Sequence, residues 1–340
     1  MITKSWNNYL VNFPVEKKDI YFTEEYVKLY ENEKDTAECF VYIEGDKTFL
    51  FPYLKRQINL CNGKYYDFET QYGYGGPVSN VEDKKFITRS LLAMEQDFLE
   101  NNIVCGFVRF HPLLDNYKLF NSDFIKIINE RKTVCVDLRQ SLDHIWNDQI
   151  HSKHRNAIRK AESNSLKFEA DTKFKYLDDF MSLYEETMKS LDADDFYYFG
   201  KPYYHKLIEN MDGNVFLGIV KKDNKIISSA IFFKYNIYGH YHLAGSDVNS
   251  LELCPNNYLI YSAMGYLKSQ GVKSFHLGGG TTNSHDNGLY KFKKRFSDQE
   301  KDFYIGKCKI NSNVYDELIR LTIDKIDPKY SRLFLSYRYV

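Results

Sequence analysis

Val215-Phe-Leu-Gly-Ile-Val-Lys-Lys-Asp-Asn-Lys-Ile-Ile-Ser-Ser-Ala-Ile-Phe-Phe233 is a run of β-branched and aromatic residues broken once, at Lys221-Lys-Asp-Asn224. That is the pattern of a β-hairpin. An earlier stretch has the same build: Glu38-Cys-Phe-Val-Tyr-Ile43, the turn Glu44-Gly-Asp-Lys47, then Thr48-Phe-Leu-Phe51. Each hairpin leads into a glycine-containing segment, Gln71-Tyr-Gly-Tyr-Gly-Gly76 or Tyr241-His-Leu-Ala-Gly-Ser-Asp247. A helix is predicted next in each, over Lys84–Asn101 (apolar at Phe86, Leu91, Met94, Phe98) and Asn257–Gln270 (Leu259, Ala263, Leu267). Pro255 ahead of the second helix and Gly271 behind it fit start and stop signals. A strand closes each copy, Val104–Phe110 and Val272–Leu277. Phe107 and Phe275 lie 168 residues apart, Gly75 and Gly245 170 apart. An offset held over three elements marks a duplicated unit, so the fold class is mixed α/β, built twice.

Working outward, Ser141 to about Ser163 is predicted as an amphipathic linking helix with Trp146, Ile150, Ala157 and Ala161 on one face. The boundary then falls near residue 140, giving domains 1–140 and 141–340. Tyr315–Ile326 reads as a last helix, and Leu333-Phe-Leu-Ser-Tyr337 as a strand returning to pack on the N-terminal domain. Two domains suit 340 residues, which exceed the usual size of one core.

Lys and Arg total 46 and Asp and Glu 46. This balance excludes binding long nucleic acid, DNA included, through bulk charge, so any anion must meet a local patch. The abundant Tyr (29) and Phe (25) read as core filling in preference to stacking platforms for bases. Six cysteines (Cys39, Cys61, Cys105, Cys135, Cys254, Cys308) are scattered without a C-x-x-C pair, implying neither a disulfide framework nor a zinc site. With no signal-peptide or membrane-span pattern, the chain reads as cytoplasmic, with at most peripheral membrane contact.

Charge is uneven locally. His151-Ser-Lys-His-Arg-Asn-Ala-Ile-Arg-Lys160 carries Lys153, Arg155, Arg159 and Lys160 with no acid. On a helix His151, Arg155 and Arg159 stack at i, i+4 and i+8. Two readings stand: an anion site, or a solvated face answered by Glu185, Glu186, Asp192, Asp194 and Asp195. In Gly288-Leu-Tyr-Lys-Phe-Lys-Lys-Arg-Phe296, the cations Lys291, Lys293, Lys294 and Arg295 interleave with Tyr290, Phe292 and Phe296. Just upstream, Gly278, Gly279 and Gly280 follow a strand, where backbone N–H groups can approach a ligand closely. Together they look like one side of a cleft. Tyr72-Gly-Tyr-Gly-Gly-Pro77 is a flexible aromatic loop, and the alternation of Arg109 and His111 predicts that both point into one cavity. His240, His242 and His276 lack a metal-ligand pattern, and no covalent nucleophile motif is present.

Gly288–Phe296, ahead of Phe303-Tyr-Ile-Gly306, resembles the C-terminal signature of the FemAB/FemX peptidyltransferases, and Lys153-His-Arg-Asn-Ala-Ile-Arg-Lys-Ala161 is similar to their inter-half motif. The resemblance implies two tandem acetyltransferase-like (GNAT) domains, each a mostly antiparallel sheet flanked by helices. Tyr72–Pro77, Arg109–Pro112 and His276–Gly280 look closer to a branch of GNAT-type acyltransferases that accompanies surface-polysaccharide genes. The Q/R-x-x-G-x-G/A signature of acetyl-CoA binding is absent, and Asn249-Ser-Leu-Glu-Leu-Cys-Pro-Asn256 stands in its place. Acyl-CoA and aminoacyl-tRNA therefore both remain as donor, with no tightly bound cofactor.

The resemblance implies N-acyl transfer to an amino group of a cell-envelope precursor, such as an amino sugar or a peptidoglycan peptide, small or lipid-linked. It puts Phe292 and Lys293 at the family's donor-contacting pair, with Lys293 stabilising developing charge. Lys291, Lys294, Gly278, Gly279, Gly280 and Asn256 would complete the donor side. Lys153, Arg155 and Arg159 would hold phosphates of the donor or, as part of the acceptor side, of the acceptor, and Tyr72, Tyr74, Gly75 and Arg109 would line the acceptor pocket. His111 or His242 would serve as general base. A non-catalytic GNAT-like binding module and a tRNA-binding factor are the alternatives.

Overall fold

The computed structural model describes residues 5–60, 63–120, 122–284 and 286–340. In chain order the elements are α1 (Asn7–Leu10), α2 (Glu24–Lys28), β1 (Asp35–Glu44), β2 (Lys47–Gln57), β3 (Tyr66–Glu69), β4 (Val78–Ser79), α3 (Lys84–Glu100), β5 (Ile103–Arg109), β6 (Ile125–Asp137), α4 (Leu142–His144), α5 (Ser152–Ser163), β7 (Lys167–Asp171), α6 (Leu177–Ser190), α7 (Lys201–Asn210), β8 (Val215–Lys222), β9 (Lys225–Tyr235), β10 (Tyr238–Ser246), α8 (Pro255–Ser269), β11 (Ser274–Gly279), α9 (Gly288–Lys294), β12 (Glu300–Lys309) and α10 (Ser312–Thr322). They form two compact units, one of residues up to Glu130 with Asp302–Val340, the other Arg131–Lys301. Where the sequence suggests one division near residue 140, the units divide inside β6 and again inside β12. Cys61 lies outside the described residues; Cys39, Cys105, Cys135, Cys254 and Cys308 are free thiols.

In the first unit β1, β2 and β3 form an antiparallel meander, with Phe40 opposite Phe51 and Leu54 opposite Glu69. β5 joins β3 in parallel, Asp67 opposite Cys105, and β12 pairs antiparallel with β5. Strand alternation sorts the core: Phe49, Phe51 and Tyr53 meet Phe86, Leu91, Met94 and Phe98 of α3, while Leu50 packs with Leu10, Phe13 and Phe22. Asp83 caps α3, accepting from the N–H groups of Lys85 and Phe86. The tail is not a strand: it turns through short 3-10 helices, the last over Ser336–Arg338. Fully buried Asp67 draws it in, accepting from Tyr337 Oη at 2.5 Å and from Arg338 Nε at 2.6 Å.

The second unit repeats the order. β7, β8, β9 and β10 are an antiparallel meander, β11 joins β10 in parallel, and β6 pairs antiparallel with β11. Leu259, Ile260, Ala263, Met264 and Leu267 of α8 bury against Phe216, Phe232 and Phe275, with Ile158 and Ala161 of α5 in the same core. On the opposite face α6 crosses β10 at Gly245, where an added Cβ would overlap the Leu183 backbone. The predicted linking helix is broken. α4 passes into a π-turn over Ile145–Gln149, Ile150 is extended and buried, and α5 starts afresh at Ser152. Arg155 stabilises that break, its guanidinium donating to the carbonyls of Trp146, Asn147 and Ile150.

Candidate functional site

β10 and β11 run in parallel register only over Tyr238–His240 and Ser274–His276. Beyond that point β10 bulges between Tyr241 and Leu243, and β11 shifts against β6 between His276 and Gly278. Gly278 meets the shift with a positive φ of 76°, open to glycine at no steric cost. Gly279 and Gly280 have no room for a side chain, the first against the Lys132 carbonyl and the second against Asn287. α8 begins with Pro255 after Cys254, and no side chain caps it. Asn256 Oδ1 accepts from Ser228 Oγ at 2.7 Å and Ser246 Oγ at 2.5 Å.

α9 brings Lys293 to this region. Asn287 caps the helix, and its inward positions are Tyr290 and Lys293, three residues apart. Lys293 is 8% exposed. Its Nζ donates to the Gly279 carbonyl at 2.9 Å and lies 5.8 Å from the Tyr241 ring. Among the described residues it makes no ion pair, and burial alone lowers its ammonium to about 7. Its neighbours in sequence differ. Lys291 pairs with Asp286 at 2.7 Å and Lys294 with Glu300 at 3.2 Å, and both point outward. Phe292 packs on Phe296 and on the ring of His154. The two motifs singled out in the sequence thus meet: His154 Nε2 donates to the Phe292 carbonyl at 2.8 Å, and the His151 N–H to the Arg295 carbonyl at 2.8 Å.

The basic stripe on α5 is only partly an anion surface. Arg155 is committed to backbone carbonyls, and Arg159 lies 5.3 Å from the Trp146 ring centroid. Lys153, Arg159 and Lys160 are exposed and make no ion pair among the described residues, so the acidic run does not answer them. Glu185 of that run pairs with Lys189. His242 is half-buried, packed on Phe233 and within 3.1 Å of Tyr203 Oη; desolvation pushes it down to about 3, far too weak for a base at neutral pH.

In the first unit, Tyr74 packs edge-on against Tyr21, His111 and Phe303. Tyr26 Oη donates to the Tyr72 carbonyl, and Gln71 Nε2 to those of Tyr21 and Tyr74. Gly75 donates to the Arg109 carbonyl, and its own carbonyl accepts from Asn116. Arg109 and His111 do not follow the predicted alternation, because β5 ends at Arg109. Arg109 turns to the Thr70 carbonyl (2.8 Å) and Glu69 over the Phe107 ring, whereas His111 turns to Asp19. His111 Nδ1 accepts from the Leu113 N–H, so its proton sits on Nε2 and is donated to Asp19 at 2.8 Å. Both nitrogens of that fully buried ring are engaged.

Sequence reasoning missed Asp19, Gln71 and His154. No local pattern marks Asp19 or Gln71. His154 had one: with Ile158 and Ala161 it falls at i, i+4 and i+7, the buried face of α5. No helix among the described residues is long and apolar enough to cross a membrane.

Residues 149–294 match the model of the acetyltransferase (GNAT) domain family, a span from the end of the π-turn to the end of α9. Comparison with curated protein sequences gives no match. Among solved structures the fold is similar to that of FemX, at 15% identity and a TM-score of 0.70 over 92% of this chain and 96% of that one. It is also similar to the C-terminal domain of a protein described as a lysylphosphatidylglycerol synthetase from Agrobacterium fabrum, at 13% identity and TM-score 0.59 over 91% and 93% of the two chains. L-PGS from Bacillus licheniformis matches at 14% identity and TM-score 0.54, over 90% and 98%.

Proposed function

We propose that this chain, a FemX-like protein of the GNAT superfamily, moves an acyl or aminoacyl group from an activated ester or thioester to the amino group of a cell-envelope precursor. The observation that carries the reading is Lys293: a buried amine without a carboxylate partner, held near neutrality, where two parallel strands part.

The acceptor amine attacks the donor carbonyl carbon, a C–N bond forms, and the carbonyl oxygen takes the electron pair. Lys293, neutral in about half the molecules near pH 7, accepts the proton leaving the acceptor nitrogen. As an ammonium it then donates to the oxyanion. When the tetrahedral intermediate collapses, the C–O or C–S bond breaks and the leaving group takes the proton. The placement of the donor in the second unit rests on three features: glycines 278–280, Asn256 at the start of an uncapped α8, and the unpaired cations Lys153, Arg159 and Lys160. His242 and His111 are passed over as bases, the first for its weak basicity and the second because both nitrogens are engaged.

Single-turnover transfer tests this, using acyl-CoAs and aminoacyl-tRNAs as donors and amino-sugar nucleotides and peptidoglycan peptides as acceptors. One donor class should support transfer, and Lys293→Met should lower the rate by about 10²-fold. A Lys293→Met protein as active as the parent would overturn the mechanism.

A further inference from the structure

α9 is seven residues long, too short to hold its position through its own hydrogen bonds. Its last carbonyls have no partner within the helix, and α5 together with its cap residue supplies two of them. The His151 N–H reaches the Arg295 carbonyl, and His154 Nε2 reaches that of Phe292, the residue next to Lys293. His154 is 4% exposed, and its ring is wedged against Phe292 and Phe296 at centroid distances of 5.0 and 4.5 Å. On a helix, a small rotation at Phe292 swings the long Lys293 side chain through a much larger arc.

We propose that His154 is a positioning residue for Lys293: its Nε2–H holds the Phe292 carbonyl and so fixes the turn of α9 that places the amine on Gly279. This rests on the reading of Lys293 as the reacting amine. The imidazole suits the task because it stays a neutral, single-tautomer donor. Burial, chiefly, lowers it to about 4, with Arg295 just after α9 and His151 just before α5 adding repulsion. Lys293 itself faces the Tyr241 ring from β10 and the Gly279 carbonyl from β11. Releasing α9 would let the amine reach water and regain its ordinary basicity.

Three substitutions separate the hydrogen bond from the packing. His154→Phe keeps a ring and removes the donor, His154→Asn keeps a donor that falls short of Phe292, and His154→Gln keeps a donor at about the reach of Nε2. Each is compared with its own Lys293→Met double variant in urea unfolding from pH 6 to 10. The pH at which the advantage of the Met double variant leaves its low-pH plateau and starts to fall is the midpoint of Lys293 titration in the folded protein, read with no substrate needed, so this readout stands even if acyl transfer is the wrong reaction. The Phe and Asn variants should raise that midpoint by at least about one pH unit and slow transfer about tenfold or more, and Gln should restore both. If His154→Phe does not fold, His154→Asn decides. A midpoint unmoved in the donor-deficient variants, or a Gln variant as impaired as Asn, overturns the proposal.

Discussion

Replacing Lys293 with Met should stabilise the fold, and by an amount that depends on pH. Burial holds the Lys293 ammonium at about 7 instead of 10.5, which places roughly 5 kcal/mol against the charged form at about 1.4 kcal/mol per pH unit. Between these values the unfolded chain binds the proton and the folded chain does not. Stability therefore rises with pH across the window from about 7 to 10.5, and the full penalty is present below about 7. Methionine fills a similar volume and carries no such penalty, but it leaves the Gly279 carbonyl without its donor, a loss of about 1 kcal/mol. At pH 6 the Met variant should then exceed the parent by about 4 kcal/mol, an advantage that is gone by pH 10. Urea unfolding of both proteins at pH 6, 7, 8, 9 and 10 reads this directly. Two stability curves running parallel over that range would refute the reasoning, because they would mean that Lys293 keeps its ordinary basicity.

Arg338→Ala removes the two bonds that its guanidinium makes to fully buried Asp67, which keeps Arg56 Nε and Tyr337 Oη, and should lower unfolding stability by about 1.5–3 kcal/mol in urea. Gly245→Ala forces a methyl into the Leu183 backbone and should cost about 1–3 kcal/mol or displace α6, read as a fall in melting temperature. Replacing Lys153 and Lys160 together with Ala should leave melting unchanged, because both are exposed and neither makes an ion pair among the described residues. If the donor is aminoacyl-tRNA, the same pair should reduce the slope of log affinity against log salt by about one for each phosphate no longer neutralised.

Much of the fold was legible because its signals are local. The hairpins at 38–51 and 215–233, the helices at 84 and 255, and the strands that follow each carry their own periodicity, and the repeat offset ties them together. β6 and β12 were not legible as boundaries. Ile125–Asp137 is crowded with charge, and what makes it a core strand is pairing with β11, more than a hundred residues later. The tail misled for a similar reason: Leu333–Tyr337 has a strand's composition, but a buried carboxylate at Asp67 governs its path. At the candidate site, Lys291, Lys293 and Lys294 look alike by residue type. The phase of α9, set by Tyr290 and Phe296, is what turns one inward and leaves two in contact with acids. Arg109 and His111 were misjudged because alternation holds only while a strand lasts.

The division of the first unit has a consequence in time. Asp67 waits for Tyr337, 270 residues downstream, and β5 waits for β12. At ordinary synthesis rates that interval is roughly 15–55 s. Throughout it the ribosome-bound chain displays an open strand edge and a buried-to-be carboxylate answered only by Arg56, while all the strands of the second unit have been made by Lys301. The later-encoded unit can close first, and the N-terminal one is finished by residues made after it.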